Sequence, residues 1–181
     1  MSERYSGTPE AALRALITST LKGIVDDDVD AVRWLQGLPS RTLFEVDARR
    51  RSWWAPRRNE LLSSVQIHPG AALEVRAGAL FLAGCDGDGH MREAALRWMR
   101  SVPSHLTLSC GLLRCNDWVA EVRAVAQDVV MSLLGQCAVH QVLAAWPIVV
   151  RLRDAQRIDG AWLEGSLLAW LASPSRREVL E

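Results

Sequence analysis

Apolar residues recur along the chain at spacings of three and four, and polar punctuation cuts this rhythm into stretches of about ten to eighteen residues. Thr8-Pro9-Glu10 reads as an N-cap with proline at the first helical position, opening PEAALRALITSTLKGI. Asp26, Asp27 and Asp28 favour a second helix start, since negative charge is stabilised beside exposed N–H groups. That helix carries Val29, Val32 and Leu35, and Gly37-Leu38-Pro39-Ser40 ends it. A third helix with Leu43, Phe44 and Val46 runs to about Arg51, and Pro56 starts a fourth that stops before His68-Pro69-Gly70.

Beyond that point the rhythm predicts a helix over about 70–83, the turn GCDGDGH, and a helix over about 89–101. In the turn, Gly87 and Gly89 are expected to take permissive backbone angles. Pro103-Ser104 opens SHLTLSCGLLRC, Asn116-Asp117 breaks it, and the helix that follows is closed by Gly135. Two last helices span about 138–156 and 160–172, and Pro147 predicts a kink in the first. Sustained period-2 alternation is absent, and Ala, Leu, Arg and Glu outweigh the single Tyr and two Phe. The chain is predicted to be all-α, with short turns favouring antiparallel neighbours.

An internal repeat sharpens this reading. DGDGHMREAALRWM and DWVAEVRAVAQDVV superimpose at an offset of 31 residues, placing Asp86 on Asp117 and Arg92 on Arg123. Each has an acid, an apolar residue, an arginine and then small apolar residues. The pattern resembles the second helix of HEAT repeats and of bacterial HEAT-like proteins, and the match covers residues 70–134. The resemblance implies a right-handed α-solenoid of antiparallel helix pairs. In such a fold Asp86 and Asp117 cap turns, Arg92 and Arg123 bond acids of neighbouring repeats, and these four residues are architectural. On this reading 1–181 is one repeat domain: divergent helices over 1–67, two HEAT-like pairs over 70–134, and C-terminal helices over 138–181. DDDVDAVRWLQGL echoes the pattern through Asp27 and Arg33. A unit of this kind cannot bury its apolar stripe alone, so neighbours stack on a continuous core.

The charge balance limits the partners. Twenty-one Lys and Arg match twenty-one Asp and Glu, whereas a chain that wraps nucleic acid non-specifically carries a strong positive excess. A protein or peptide partner is therefore expected ahead of nucleic acid. The polar start MSERYSGTPE and the shortness of every apolar run predict a cytoplasmic protein with no membrane segment. Cys85, Cys110, Cys115 and Cys137 lack Cys-x-x-Cys spacing and are expected to be reduced, buried thiols.

The candidate contact surface is the stretch around RRRSWWAPRR, with Arg49, Arg50, Trp53, Trp54, Arg57 and Arg58. Guanidinium forks suit acids and phosphates, and indoles suit hot spots; the same residues also serve a packed helix corner. Eight tryptophans is a high count, and core packing is expected to absorb most of them. Neither Cys137 with His140 nor Cys85 with His90 has zinc-ligand spacing, and none of His68, His90, His105 and His140 precedes Glu. Nucleophile-elbow, P-loop and dinucleotide fingerprints are missing, so no catalytic residue, metal or cofactor is expected.

The resemblance thus implies a non-catalytic interaction module or scaffold, with self-association through open solenoid ends as a further expectation. Two alternatives come from the same family. HEAT-like alkylpurine DNA glycosylases need a continuous positive groove with an exposed Trp and a central carboxylate. Bilin-lyase-like proteins need an exposed reactive cysteine in a large apolar pocket.

Overall fold

The computed structural model describes residues 37–52 and 72–173, and every described element is helical. The helices predicted over 9–24, 26–36 and 56–67 lie outside the described residues, as do Trp53, Trp54, Arg57 and Arg58. Helix α1 is Ser40–Ser52, α2 is Leu73–Gly84 and α3 is Gly89–Met99. They are followed by α4, His105–Arg114, α5, Ala120–Leu134, and α6, Val139–Leu152. The last stretch, α7, consists of Gly160–Trp162 and Ala169–Leu171 on either side of a π-helical segment, Leu163–Leu168.

Helix α2 packs on α3 and α4 on α5, so helices adjacent in sequence pair with one another. Like helices also meet between pairs: α3 lies against α5, α2 against α4, and α4 against α6. The composition of each helix explains its place. In α4 every residue from Leu106 to Arg114 is buried, and in α2 burial is continuous from Ala77 to Gly84. Helices apolar on all sides belong in the middle of a structure. In α3 burial is confined to Met91, Arg92, Ala95, Leu96 and Met99, and in α5 to a stripe from Val122 to Leu134. These two therefore sit outside, each with one face in solvent. Small residues let the inner helices approach: a Cβ on Gly111 would come within 2.9 Å of Val130 Cγ2, and one on Gly84 would run into Cys110 Sγ.

Local chemistry fixes the helix starts. Ser104 caps α4 in a reciprocal box: its Oγ accepts from Thr107 N–H at 3.1 Å, and Thr107 Oγ1 accepts from Ser104 N–H at 3.1 Å. Asp88 caps α3 by accepting from His90 N–H, while Asp86 accepts from Asp88 N–H at 2.9 Å in a tight turn. Asp117 repeats that turn with Val119 N–H at 3.0 Å.

Several expectations change in detail. Gly89 occupies the first position of α3 without a left-handed backbone, because the turn is closed by aspartate side chains instead. Gly135 ends α5 with φ −71°, a right-handed conformation open to any residue. Helix α6 passes through Pro147 and ends at Leu152, short of the predicted 156. The final helix is interrupted by its π-helical turn, which periodicity alone does not announce. Tryptophans also depart from the core expectation: Trp98, Trp118 and Trp146 are 41%, 50% and 43% exposed.

Helix α1 does not extend the row of inner helices from its α2 end. It packs against α6, where Ser40 Oγ donates to the Ala144 carbonyl at 2.8 Å and the Arg151 guanidinium covers the Phe44 ring at 4.2 Å. Leu43 and Val46 of α1 join the common core. This placement brings an N-terminal helix beside the turns that follow α4 and α6.

Candidate functional site: a cleft at the helix corners

Four ionised side chains run through the structure beneath these turns. Arg92 on α3 donates from Nε and Nη2 to Asp117 Oδ2 and Oδ1, both at 2.9 Å, and from Nη1 to the carbonyls of Asp86 and Gly87. Arg114, the last residue of α4, reaches Asp117 Oδ2 at 3.1 Å and pairs with Asp47 Oδ1 of α1 at 2.5 Å. Arg92, Arg114 and Asp117 have no side-chain exposure, and Asp47 has 5%. The buried guanidinium groups of Arg92 and Arg114 thus each face a buried carboxylate, which is the condition under which such groups are tolerated inside a protein.

Electrostatics follows from this matching. Burial alone would depress the Arg114 guanidinium, but the facing Asp47 carboxylate, with Cys85, Cys110 and Asp117 adding, holds its pKa above the ordinary arginine range. The Cys85 thiol is pushed well up, first by burial, then by its hydrogen bond with Cys110 and the nearby Asp47 charge. Burial also raises Cys115, and raises Cys137 to about 11. All four cysteines are buried and free.

Above the ion network opens a cleft of about 810 Å³. Helix α1 supplies Phe44, Asp47 and Ala48, the end of α4 and its turn supply Leu113, Asn116 and Trp118, and α6 with its following turn supplies Ile148, Arg151, Leu152 and the stretch Asp154 to Arg157. Asn116 holds that last turn by accepting from Arg157 N–H at 2.9 Å. The Trp118 indole carries the Arg92 guanidinium on its ring at 4.3 Å, so one half-exposed aromatic face is anchored to the buried network. Its described lining mixes apolar side chains, Phe44, Leu113, Ile148 and Leu152 among them, with the charged Arg151, Arg157, Asp47 and Asp154.

The four repeat residues are brought together. Arg92 joins its own turn to Asp117 of the next, and Arg123 repeats the first half of that pattern, donating from Nη1 to the Asp117 carbonyl at 2.8 Å. The expected contact residues fall outside what is described of this cleft. Arg49 and Arg50 fall in the last turn of α1, and their side chains lie outside the described residues together with Trp53, Trp54, Arg57 and Arg58. Sequence reading missed Arg114, Arg151, Arg157 and Asn116 as site residues. A signal for Arg114 exists in GLLRC, where one arginine interrupts an apolar run and must therefore find buried anions.

Among the described residues no cluster of three or more His, Cys, Asp or Glu is arranged to hold a metal ion, and no helix is long and apolar enough to cross a membrane. No protein-family model, curated protein or solved structure matches the chain.

Proposed function

We propose that this chain is a HEAT-like α-solenoid of helix pairs that serves as a non-catalytic interaction module, with the corner cleft as a recognition surface for a protein or peptide. The observation that carries the repeat reading is the Asp–Arg geometry at 31-residue spacing: both aspartates make the same turn, and both arginines bond the carbonyl six residues back. The recognition reading rests on the cleft itself. A half-exposed indole, apolar lining residues and the arginines Arg151 and Arg157 supply the aromatic and guanidinium anchors that dominate protein interfaces.

Catalysis draws less support from the same geometry. The Asp47 carboxylate is buried and already paired with Arg114, so it is engaged in the ion network rather than presented to a substrate. The glycosylase-like alternative is favoured by Trp118, arginines and carboxylates sharing one cleft, but its described lining carries Asp47 and Asp154 beside Arg151 and Arg157 where a continuous positive groove is required. The bilin-lyase-like alternative needs an exposed, reactive thiol. None of the four cysteines is among the cleft's described lining residues, all four are buried, and burial holds Cys85, Cys115 and Cys137 in the unreactive protonated form.

Affinity capture from the source cell tests the proposal, using the native chain, an Arg151→Glu/Arg157→Glu variant, and a variant with Arg49, Arg50, Arg57 and Arg58 changed to Ala. Nuclease treatment is included in parallel. The proposal expects a discrete polypeptide retained by the native chain, lost with the cleft variant and indifferent to nuclease. Retention of nucleic acid that disappears with the arginines would replace it with the glycosylase-like reading.

A further inference from the structure

The outer face of α6 carries an exposed apolar seam, separate from the corner cleft. Ala145, Ile148, Val149 and Leu152 of this helix are buried, and helical periodicity places Val139, Leu143, Trp146 and Val150 on another side. Those four positions are spaced four, three and four residues apart, which is the spacing of a seam that receives another helix. Leu143 and Val150 are 51% and 48% exposed, and Trp146 nearly as much. Beside the seam lies a groove of about 300 Å³ whose far wall is α7, with Leu168, Leu171 and Ala172 opposite Val142, Leu143 and Trp146. Arg153 is the only ionisable side chain among its described lining residues, and α6 itself contains no Asp or Glu.

We propose that this groove binds an amphipathic helix of a partner protein, apolar on the buried side and acidic along the flank that meets Arg153. Three properties select that occupant. The seam from Val139 to Val150 extends over roughly 17 Å, the length of about three helical turns. Its three exposed apolar side chains, Leu143, Trp146 and Val150, suit one helix and are far fewer than the roughly 20–30 residues a side that a standard interface between two copies engages. The apolar side chains line a concavity between two helices, which fits a ridge of side chains rather than a flat bilayer. The positive charge of Arg153 at the rim then favours an acidic flank over a basic one.

Binding is measured by fluorescence anisotropy on the full chain with two labelled fifteen-residue helical peptides. They share leucines at the seam positions, and one carries glutamates and the other lysines on its flanks. The acidic peptide is expected to bind at least threefold more tightly at low salt. Leu143→Glu, at a half-exposed position whose circular dichroism should be unchanged, is expected to weaken it tenfold or more. Arg153→Glu is expected to reverse the preference toward the basic peptide. Failure of both peptides to bind, equal binding insensitive to Arg153→Glu, or binding unaffected by Leu143→Glu would each overturn the proposal. Co-sedimentation with phosphatidylglycerol vesicles in place of peptide binding would assign the face to a lipid surface. A dimer in sedimentation equilibrium that Leu143→Glu dissociates would assign it to a second copy. Either result also overturns the proposal.

Discussion

Replacing Asp117 with alanine removes the acid shared by both buried arginines. It deletes three guanidinium contacts, two from Arg92 at 2.9 Å and one from Arg114 at 3.1 Å, together with the turn bond to Val119 N–H. Arg114 keeps Asp47, whereas Arg92 keeps only the carbonyls of Asp86 and Gly87 beneath the Trp118 ring. Summing net charge-assisted bonds at about 1.5–3 kcal/mol each would overshoot, because the three share one carboxylate and one desolvation cost. Removing one partner from a buried ion pair costs about 3–5 kcal/mol, so a loss of about 4 kcal/mol is expected for Asp117→Ala. For a chain of this length that lowers the melting temperature by roughly 8–16 °C.

Asp117→Asn keeps the shape and one carbonyl acceptor, and should lose about half as much. Arg97→Ala serves as the control, because the Arg97–Glu93 pair lies on the surface of α3 and is expected to contribute under about 0.5 kcal/mol. Urea unfolding followed by far-ultraviolet circular dichroism gives all three values. A double-mutant cycle between Arg92→Met and Asp117→Asn should then return a coupling of about 2–3 kcal/mol. An Asp117→Ala loss within about 1 kcal/mol of the Arg97→Ala control would refute the claim that this network joins the helix pairs.

Three further outcomes are expected. Gly84→Ala should destabilise by about 1–3 kcal/mol despite alanine's better helix propensity, because the new methyl meets Cys110 Sγ and lies 2.8 Å from Met99 Cε; adding Cys110→Ala should recover part of the loss, and a neutral Gly84→Ala would contradict the close approach of α2 and α4. Burial lowers His105 below its ordinary 6.5, so the unfolded chain binds its proton first and the native state is penalised as pH falls through that region; the stability difference between the native chain and His105→Gln should therefore grow from pH 7 toward pH 5, and a flat difference would oppose it. With Cys137 pushed up to about 11 and Cys85 and Cys115 also raised, Ellman's reagent at pH 8 should label the folded chain slowly and all four thiols at once in denaturant; rapid labelling of folded protein would contradict their burial.

What could be read from sequence was mostly local. The apolar run GALFLAGC and the pair Pro103-Ser104 specify a buried helix and a capped start by themselves, and the structure has both in α2 and α4. The 31-residue offset between Asp86 and Asp117 was also legible, because a repeated turn needs repeated turn chemistry. Pairings that depend on distant chain segments were not. Nothing near Asp47 announces that it will meet Arg114, sixty-seven positions on, since the encounter depends on α1 lying across α6. Trp118 and Trp146 look like core residues by composition, and only packing reveals that α5 starts beyond the first and that no described helix covers the second. The six-residue π-helical turn of α7 likewise escapes a 3.6-residue periodicity.

The central claim is that one buried arginine fork joins successive helix pairs, and side-chain nuclear magnetic resonance of nitrogen-15 arginine reports on that fork directly. Arg92 Nε–H, bonded to Asp117 Oδ2 at 2.9 Å with no exposure, should give a sharp signal that exchanges slowly with water at neutral pH and shifts in Asp117→Asn. An Arg92 signal that exchanges as fast as that of surface Arg97, and that ignores Asp117→Asn, would mean the pairs are not joined there.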